Sequence, residues 1–243
     1  MPALASAGSG GASTGSGGTS TGPASAPAPP VQPGNVPVSA TGDGITLESN
    51  ASAFLRSGVS VTGTVPTGDA GAAVEIDQLA AGSASAWTPV AVVHAQSNGS
   101  FAATWRTTQP GPVTIRALLQ GSQAASSPPA VSVTVYRRSI ATLYGPGFYG
   151  HLTACGVILR RHTIGVANRT LPCGTEVQVY YNGSVITVPV IDRGPYAHHA
   201  NWDLTMATGR ALGMMGTETI GAAALPAAAA TTPGTPAGPP SAQ

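Results

Sequence analysis

The chain has 243 residues, of which 42% are hydrophobic and 8% charged, and its formal net charge is +1 at pH 7. All ten basic residues are arginines, and they form no run that could neutralise several phosphates, which excludes a typical nucleic-acid-binding protein. No apolar stretch approaches the roughly 18 residues of a membrane-spanning helix, which excludes a membrane span of that kind.

Both ends of the chain have low-complexity sequences. Residues 1–38 are rich in Gly, Ser and Thr and then in Ala and Pro, and residues 226–243 are similar. Such segments bury too little to offset their ordering entropy, so we predict disordered linkers. The opening MPALASAGSGG lacks the basic and apolar regions of a secretory signal. Its ALASA is similar to the end of one, so we expect a secreted protein whose start codon lies upstream.

Residues 39–136 contain seven short β-type runs separated by turn residues, as in a β-sandwich. The runs are GITLES, VSVTGTV, AAVEIDQL, WTPVAVVHAQ, SFAATW, PVTIRALL and AVSVTVY. Glu75 and Asp77 alternate along the third run, which predicts a solvated strand face. The stretch from Trp87 to Leu118 resembles the immunoglobulin-like repeats of bacterial surface proteins, and such a domain would serve as a spacer or an adhesion module.

Residues 139–225 predict a compact β-barrel with one short helix. SIATLYG reads as a strand, and EVQVYY and SVITVPVI flank Asn182-Gly183, a pair typical of a tight type I′ hairpin turn. Thr205 is a candidate N-cap for a helix that ends near Gly213. TETIGA reads as a last strand.

Asp192 stands out among the nine acidic residues because it follows the strand SVITVPVI and precedes the turn Arg193-Gly-Pro. A carboxylate at a strand end is held by the sheet while its oxygens face a cleft, a geometry that suits proton transfer to a ligand. The structural alternative is a turn cap or an Asp192–Arg193 salt bridge, and turn chemistry alone favours it.

The two cysteines, Cys155 and Cys173, both lie in the barrel region. They have no CxxC spacing and no nearby ligands typical of a metal site. Linkers that indicate export favour a structural disulfide over a redox or metal-binding pair. His198 and His199 with Asp203 are a weak candidate for a metal site, because adjacent side chains point apart on an extended chain. We expect no metal and no cofactor.

Four segments in order resemble the double-psi β-barrel of the rare lipoprotein A (RlpA) family over about 87 residues. They are ATLYGPGFYGHLTACG, GVANRTLPCGTEVQVYY, VPVIDRGPY and WDLTMATGRALG. The sequence therefore predicts a mostly β protein, in which an immunoglobulin-like β-sandwich is followed by a six-stranded double-psi β-barrel with a short helix. Characterised RlpA proteins are peptidoglycan lytic transglycosylases, and expansins share the barrel.

The resemblance implies a set of site residues. Asp192 matches the essential aspartate of the DRGP motif, and Asp203 matches the aspartate before the barrel's helix. Thr153 matches a threonine in the groove of expansin-like relatives, and Tyr144 matches the YG tyrosine, whose ring could stack on a sugar. The candidate catalytic residues are therefore Asp192 and Asp203. The candidate substrate-binding residues are Tyr144, Thr153, Arg193, Tyr196 and Trp202.

Two positions depart from the family pattern. RlpA enzymes carry Glu where this chain has Val157, and His where it has Asn168. A lytic transglycosylase uses the muramyl 6-hydroxyl as nucleophile, so a single aspartate can suffice. We expect a cell-wall protein that acts on peptidoglycan strands as such an enzyme. The alternative is a glycan-binding or expansin-like module that breaks no bond. The sequence leaves the oligomeric state open.

Overall fold

The computed structural model describes residues 31–227 except 81, 84, 122–126, 197 and 198. Most of the predicted linker and of the predicted tail, together with His198, lies outside the described residues. Within the described ranges, no helix has the length and apolar character that crossing a membrane requires.

Ten strands make up the N-terminal part and its junction with the barrel. They are β1 (Gln32–Pro33), β2 (Pro37–Gly42), β3 (Ile45–Asn50), β4 (Ser52–Phe54), β5 (Gly58–Thr64), β6 (Ala73–Ala80), β7 (Thr88–His94), β8 (Ser100–Arg106), β9 (Gly111–Leu119) and β10 (Ala130–Tyr144), with a 3-10 turn at Thr67–Asp69. The remaining elements are β11 (Val166–Ala167), β12 (Glu176–Tyr181), β13 (Ser184–Asp192), β14 (Trp202–Thr205), α1 (Met206–Leu212) and β15 (Glu218–Ala224).

The N-terminal strands form two sheets that share one core. One sheet has the order β2-β3-β5-β8, and the other places β9, β6 and β7 beside β10. Alternating side chains of both sheets, such as Leu47 and Ile115, are buried in a single apolar cluster. All seven predicted strands are present. The immunoglobulin-like assignment of this sandwich stays a prediction.

The burial of Asp77 contradicts the prediction that its side chain lies on a solvated face of β6. Its side chain is buried and receives a bidentate contact from Arg116, with Nε and Nη2 at 3.0 and 2.8 Å from Oδ2. The pairing of β6 with β7 shifts register between Ile76 and Asp77. With β9 the register is unbroken and Asp77 lies opposite Arg116, so Asp77 stays on the outer face of the sheet and is buried there by its ion pair with Arg116.

The barrel is closed by six strands in the order β14-β11-β13-β12-β15-β10, with β10 pairing back to β14. This confirms the predicted six-stranded barrel with one short helix. The hairpin turn at Asn182-Gly183 has positive φ at both residues, as a type I′ turn requires. The Thr205 side chain caps α1 by accepting from the Thr208 amide at 3.1 Å, and Gly213 ends the helix with a φ of 72°.

Strand β10 joins the two halves without a break. Its first residues pair with β9 and its later ones with β15 and β14, so it crosses the predicted boundary at 136–139. The N-terminal strand β1 pairs with β13, with Gln32 opposite Val185. Within the predicted linker, Gln32 and Pro33 therefore pair with the barrel, and Pro37 and Val38 pair with β3, which Pro- and Gly-rich composition alone does not reveal.

Candidate active site

Two carboxylates are brought to one edge of the barrel by the short strand β11. Ala167 pairs with Asp192 on β13 in the parallel direction and with Asp203 on β14 in the antiparallel direction. Neighbouring strands lie about 4.8 Å apart, so the two aspartates, one strand to either side of Ala167, have Cα atoms within roughly 10 Å of each other.

Asp192 is the last residue of β13, as the sequence predicts, and is half-buried. Its Oδ1 accepts two main-chain hydrogen bonds, from the amides of Ala154 at 2.9 Å and Arg193 at 2.8 Å. The amide donors come from the following turn and from a separate loop that folds over the strand end. These two hydrogen bonds fix the orientation of the Asp192 carboxylate relative to the turn and the loop.

Arg193 does not form the ion pair considered from the sequence. Its guanidinium donates to the carbonyl of Asn168 at 3.3 Å and approaches Sγ of Cys173 at 3.2 Å. In the part of the chain that the structure describes, the one salt bridge is that of Arg116 with Asp77. Arg193 therefore braces the loops beside Asp192, and its predicted contact with substrate stays a prediction.

A disulfide between Cys155 and Cys173 confirms the predicted pairing. It joins the turn that carries Ala154 to the loop that Arg193 touches. Thr153 stabilises the same turn, because its hydroxyl accepts from the Val157 amide at 3.1 Å and its own amide donates to the Val157 carbonyl at 2.8 Å. The disulfide and Thr153 together hold the Ala154 amide over Asp192.

Asp203 is positioned by Thr142, a residue that sequence reasoning missed. The Thr142 hydroxyl donates to Oδ1 of Asp203 at 2.9 Å. Burial raises the pKa of Asp203, and the charge of Asp192 adds to the effect while the Thr142 hydrogen bond opposes it. The signal was present in the sequence, since Thr142 lies two residues before Tyr144 and shares its strand face.

The aromatic groove expected from Tyr144, Tyr196 and Trp202 is not formed as a set. Trp202 is only 8% exposed and packs in the barrel core, and Tyr144 is 9% exposed, whereas Tyr196 is 81% exposed. Alternation along β14 directs Trp202 inward and Asp203 outward. The rings of Tyr144 and Trp202 are therefore largely covered by the protein, and their predicted stacking on a sugar stays a prediction.

The two positions that depart from the family pattern have local roles. Val157 packs against the small cluster of Tyr144, Leu159, Ala167 and Ile191 outside the main barrel core. The Asn168 side-chain oxygen accepts from the amides of residues 170 and 171 at 3.0 and 2.9 Å. One position is thus apolar packing and the other is a turn cap.

An exposed apolar rim borders this cluster and was also missed. Phe148, Leu152 and Ile158 are 59%, 68% and 45% exposed. The Phe148 ring lies 6.4 Å from that of Tyr144, and Leu152 bridges to Ile158. These three side chains expose apolar surface to solvent, whereas those of Tyr144 and Trp202 are buried.

No group of three or more potential metal ligands is clustered within the described ranges. His199 is described and exposed, whereas His198 is not described.

Comparisons with known proteins match the barrel region. The sequence model of a family described as "Lytic transglycolase" matches residues 136–224. "Probable endolytic peptidoglycan transglycosylase RlpA" of Aquifex aeolicus is 42% identical over 82 residues, covering 33% of this chain and 36% of that protein. "Endolytic peptidoglycan transglycosylase RlpA" of Campylobacter jejuni is 33% identical over 94 residues, covering 38% and 34%.

Residues 136–224 form an RlpA-like double-psi β-barrel domain. The chain spans about a third of the length of the curated relatives it matches. Among solved structures, "Streptomyces papain inhibitor (SPI)" is similar over 37% of this chain and 93% of that one, at 26% identity and a TM-score of 0.31. The assignment of the RlpA-like domain therefore depends on the sequence matches and on the closed strand order.

Proposed function

We propose that the RlpA-like domain cleaves peptidoglycan glycan strands as a lytic transglycosylase, with Asp192 exchanging protons with the substrate. The observation that carries this proposal is the orientation of the Asp192 carboxylate by the Ala154 amide, with Asp203 on the far side of β11. The names of the relatives support peptidoglycan as the substrate.

The proton balance of the reaction needs no bound water. The glycosidic oxygen gains one proton as the bond breaks, and the muramyl 6-hydroxyl loses one as it attacks the anomeric carbon. One carboxyl group can donate the first proton and accept the second. Ordinary glycoside hydrolysis needs a second carboxylate to activate water or to attack the sugar, and this reaction does not.

Asp203 complements Asp192 in this scheme. Because burial raises its pKa, Asp203 keeps its proton to a higher pH than an exposed aspartate does. The amides of Ala154 and Arg193 orient the Asp192 carboxylate, and the Thr142 hydroxyl orients that of Asp203. Asp203 is therefore the second candidate for the acid.

We propose that the protein acts outside the cell. The Cys155–Cys173 disulfide supports this location, since such bonds persist in oxidising compartments. A disulfide beside the site also means that the proposed active conformation depends on that oxidising environment.

A non-catalytic role is the second candidate. Val157 packs with apolar residues and Asn168 caps a turn, so neither supplies the acidic or basic group that the family resemblance implies there. An expansin-like or glycan-binding module would use Asp192 and Asp203 as acceptors for sugar hydroxyls.

Mass spectrometry of denuded glycan strands after incubation with the protein tests the proposal. Asp192→Asn is the matched control, because the asparagine oxygen can still accept from the Ala154 amide. Anhydromuramyl products made only by the unsubstituted protein support the transglycosylase. Intact strands that nonetheless bind the protein support the second candidate, and strands neither cut nor bound refute both.

A further inference from the structure

A cavity of about 380 Å³ lies on the outer face of the barrel, where β4 of the N-terminal part pairs with β10. Its lining includes Phe54 of β4, Arg138 of β10, Asn182 of the hairpin turn and Thr219 of β15. The side chains of Arg138, Asn182 and Thr219 are exposed. Sites for small ligands commonly combine apolar walls with a few convergent polar groups, and this cavity has both.

The Arg138 guanidinium is held in place but has no acidic partner. Its central carbon lies 4.2 Å from the centroid of the Phe54 ring, and stacking of this kind restricts a long side chain. Among the described residues, the one salt bridge joins Arg116 to Asp77, so no carboxylate there pairs with Arg138. A positioned guanidinium with free N–H donors is suited to bidentate contact with the carboxylate of a ligand.

Glu218 does not neutralise Arg138, although it lies on the neighbouring strand. Its carboxylate interacts with the Tyr181 hydroxyl, and it forms no ion pair with Arg138. Side chains alternate along β15, so Glu218 and Thr219 point to opposite faces of that strand. The cavity therefore places the cation of Arg138 next to the neutral polar groups of Asn182 and Thr219, which favours a ligand that carries both a carboxylate and hydroxyl groups.

Strand β10 connects this cavity to the candidate active site. Its pairing is unbroken from Arg137 to Tyr144, so Arg138, Ile140 and Thr142 lie on one face of the strand. Thr142 contacts Asp203 at one end of this row, Arg138 lines the cavity at the other, and Ile140 between them is 41% exposed. Four residues of strand span about 13 Å, which is longer than a single sugar unit.

We propose that the cavity at Arg138 binds an acidic sugar unit of the same glycan strand that Asp192 and Asp203 engage at a neighbouring unit. In a denuded strand, each muramyl unit carries a free lactyl carboxylate, which is the group that Arg138 would hold. Asn182 and Thr219 would contact the hydroxyl groups of that unit. This inference rests on the proposed action on glycan strands, and it holds for cleavage and for binding alike.

Arg138→Gln in the full chain is the test, with affinity for denuded glycan strands measured in the Asp192→Asn background, where no cleavage interferes. We expect binding to weaken by about tenfold, the effect of losing a charged hydrogen bond to the ligand. Arg137→Gln is the matched control, because Arg137 is also exposed and changes the net charge equally, but alternation places it on the other face of β10. We expect its affinity to stay at that of the parent.

Strands whose lactyl carboxylates have been converted to methylamides test the chemistry of the ligand. We expect this change to weaken binding by the parent and by Arg137→Gln, and to leave the affinity of Arg138→Gln unchanged. Equal losses in the two arginine variants would show general charge attraction and would overturn the inference. So would a further loss in Arg138→Gln as large as that in the parent.

A spectroscopic measurement on the parent protein does not depend on the folding of Arg138→Gln. In ¹⁵N-labelled protein, the Nε–H signal of Arg138 is identified by its absence in Arg138→Lys, and we expect it to shift when denuded strands are added. Unchanged affinity in Arg138→Gln or an unshifted signal would overturn this inference, while strand binding by the parent leaves the proposed function intact. A parent protein that neither binds nor cuts strands overturns both.

Discussion

The Thr142 hydroxyl donates a 2.9 Å hydrogen bond to Oδ1 of Asp203, and the two residues lie opposite each other in the pairing of β10 with β14. Thr142 thereby fixes the direction of a half-buried carboxylate. The same burial raises the pKa of Asp203 above its usual 3.8. Orientation and destabilisation of the charged form are thus combined at one residue, a pattern common at functional sites.

We predict that Asp203→Asn stabilises the protein at pH 7 and lowers its activity. A raised folded-state pKa means that the stability associated with Asp203 is fully present below pH 3.8 and is lost as the pH rises through the folded-state value. Asparagine does not ionise, so this loss of stability does not occur, and its side-chain oxygen can still accept the hydrogen bond from the Thr142 hydroxyl. Since the group is partly exposed and screened, we expect a gain of no more than about 1 kcal/mol.

Urea unfolding of both proteins at pH 7 and pH 3.5 checks the sign. The advantage of the variant should be largely lost at the lower pH, where Asp203 is mostly protonated in both the folded and the unfolded state. Thr142→Val should have the opposite effect at pH 7, because it removes the donor that favours the carboxylate. An Asp203→Asn variant that is less stable than the parent at pH 7 contradicts the prediction.

Local signals in the sequence predicted much of the barrel. Asn182-Gly183 fixed the hairpin turn and Thr205 the start of α1, because each acts through backbone geometry within a few residues. The position of Asp192 at a strand end followed from the strand and turn residues around it. The family resemblance supplied the barrel's closure, which these local signals do not specify.

What sequence reasoning missed depends on distant pairing. The burial of Asp77 depends on its pairing opposite Arg116 on β9, and the inward direction of Trp202 depends on where β14 enters the barrel. The continuous course of β10 is set by partners as far along the chain as Ala222.

The disulfide should contribute substantially to stability. Cys155 and Cys173 close a loop with a sequence separation of 18, for which chain-entropy estimates give about 3 kcal/mol. We therefore expect the double substitution to serine to lower the free energy of unfolding by about that amount, and to lower activity because the Ala154 amide is less well held over Asp192.

Denaturant titration with and without a reducing agent measures this contribution. Reductant should bring the parent protein to the level of the double variant and leave the variant unchanged. Two reactive thiols in the native parent protein would contradict the assignment.

Gly221 allows the sandwich and the barrel to meet at a cluster of three aromatic rings. A Cβ there would lie 2.9 Å from Cβ of Tyr136, 3.0 Å from Cε1 of Phe54 and 3.1 Å from Cβ of Tyr180. We expect Gly221→Ala to destabilise the protein by about 1–3 kcal/mol through overpacking. Gly216→Ala is the matched control, because that position is open, and a similar loss in both variants would refute the steric explanation.

Val157 is where the family resemblance implies a glutamate. Its side chain is partly exposed and packs beside Tyr144 and Leu159, and its amide is held by the Thr153 hydroxyl. We predict that Val157→Glu raises the rate of strand cleavage by about 10²-fold, the lower range for one added general acid or base. Partial burial favours the protonated form of such a carboxyl group, which suits an acid.

Val157→Gln separates the added charge from the added length, and its rate should stay at that of the parent. Release of anhydromuramyl ends per unit time, measured by mass spectrometry with equal amounts of folded protein, gives the comparison. If the glutamine variant gains as much as the glutamate variant, the effect comes from loop rearrangement. If neither gains, the missing carboxylate does not limit the reaction, and the second candidate function is favoured.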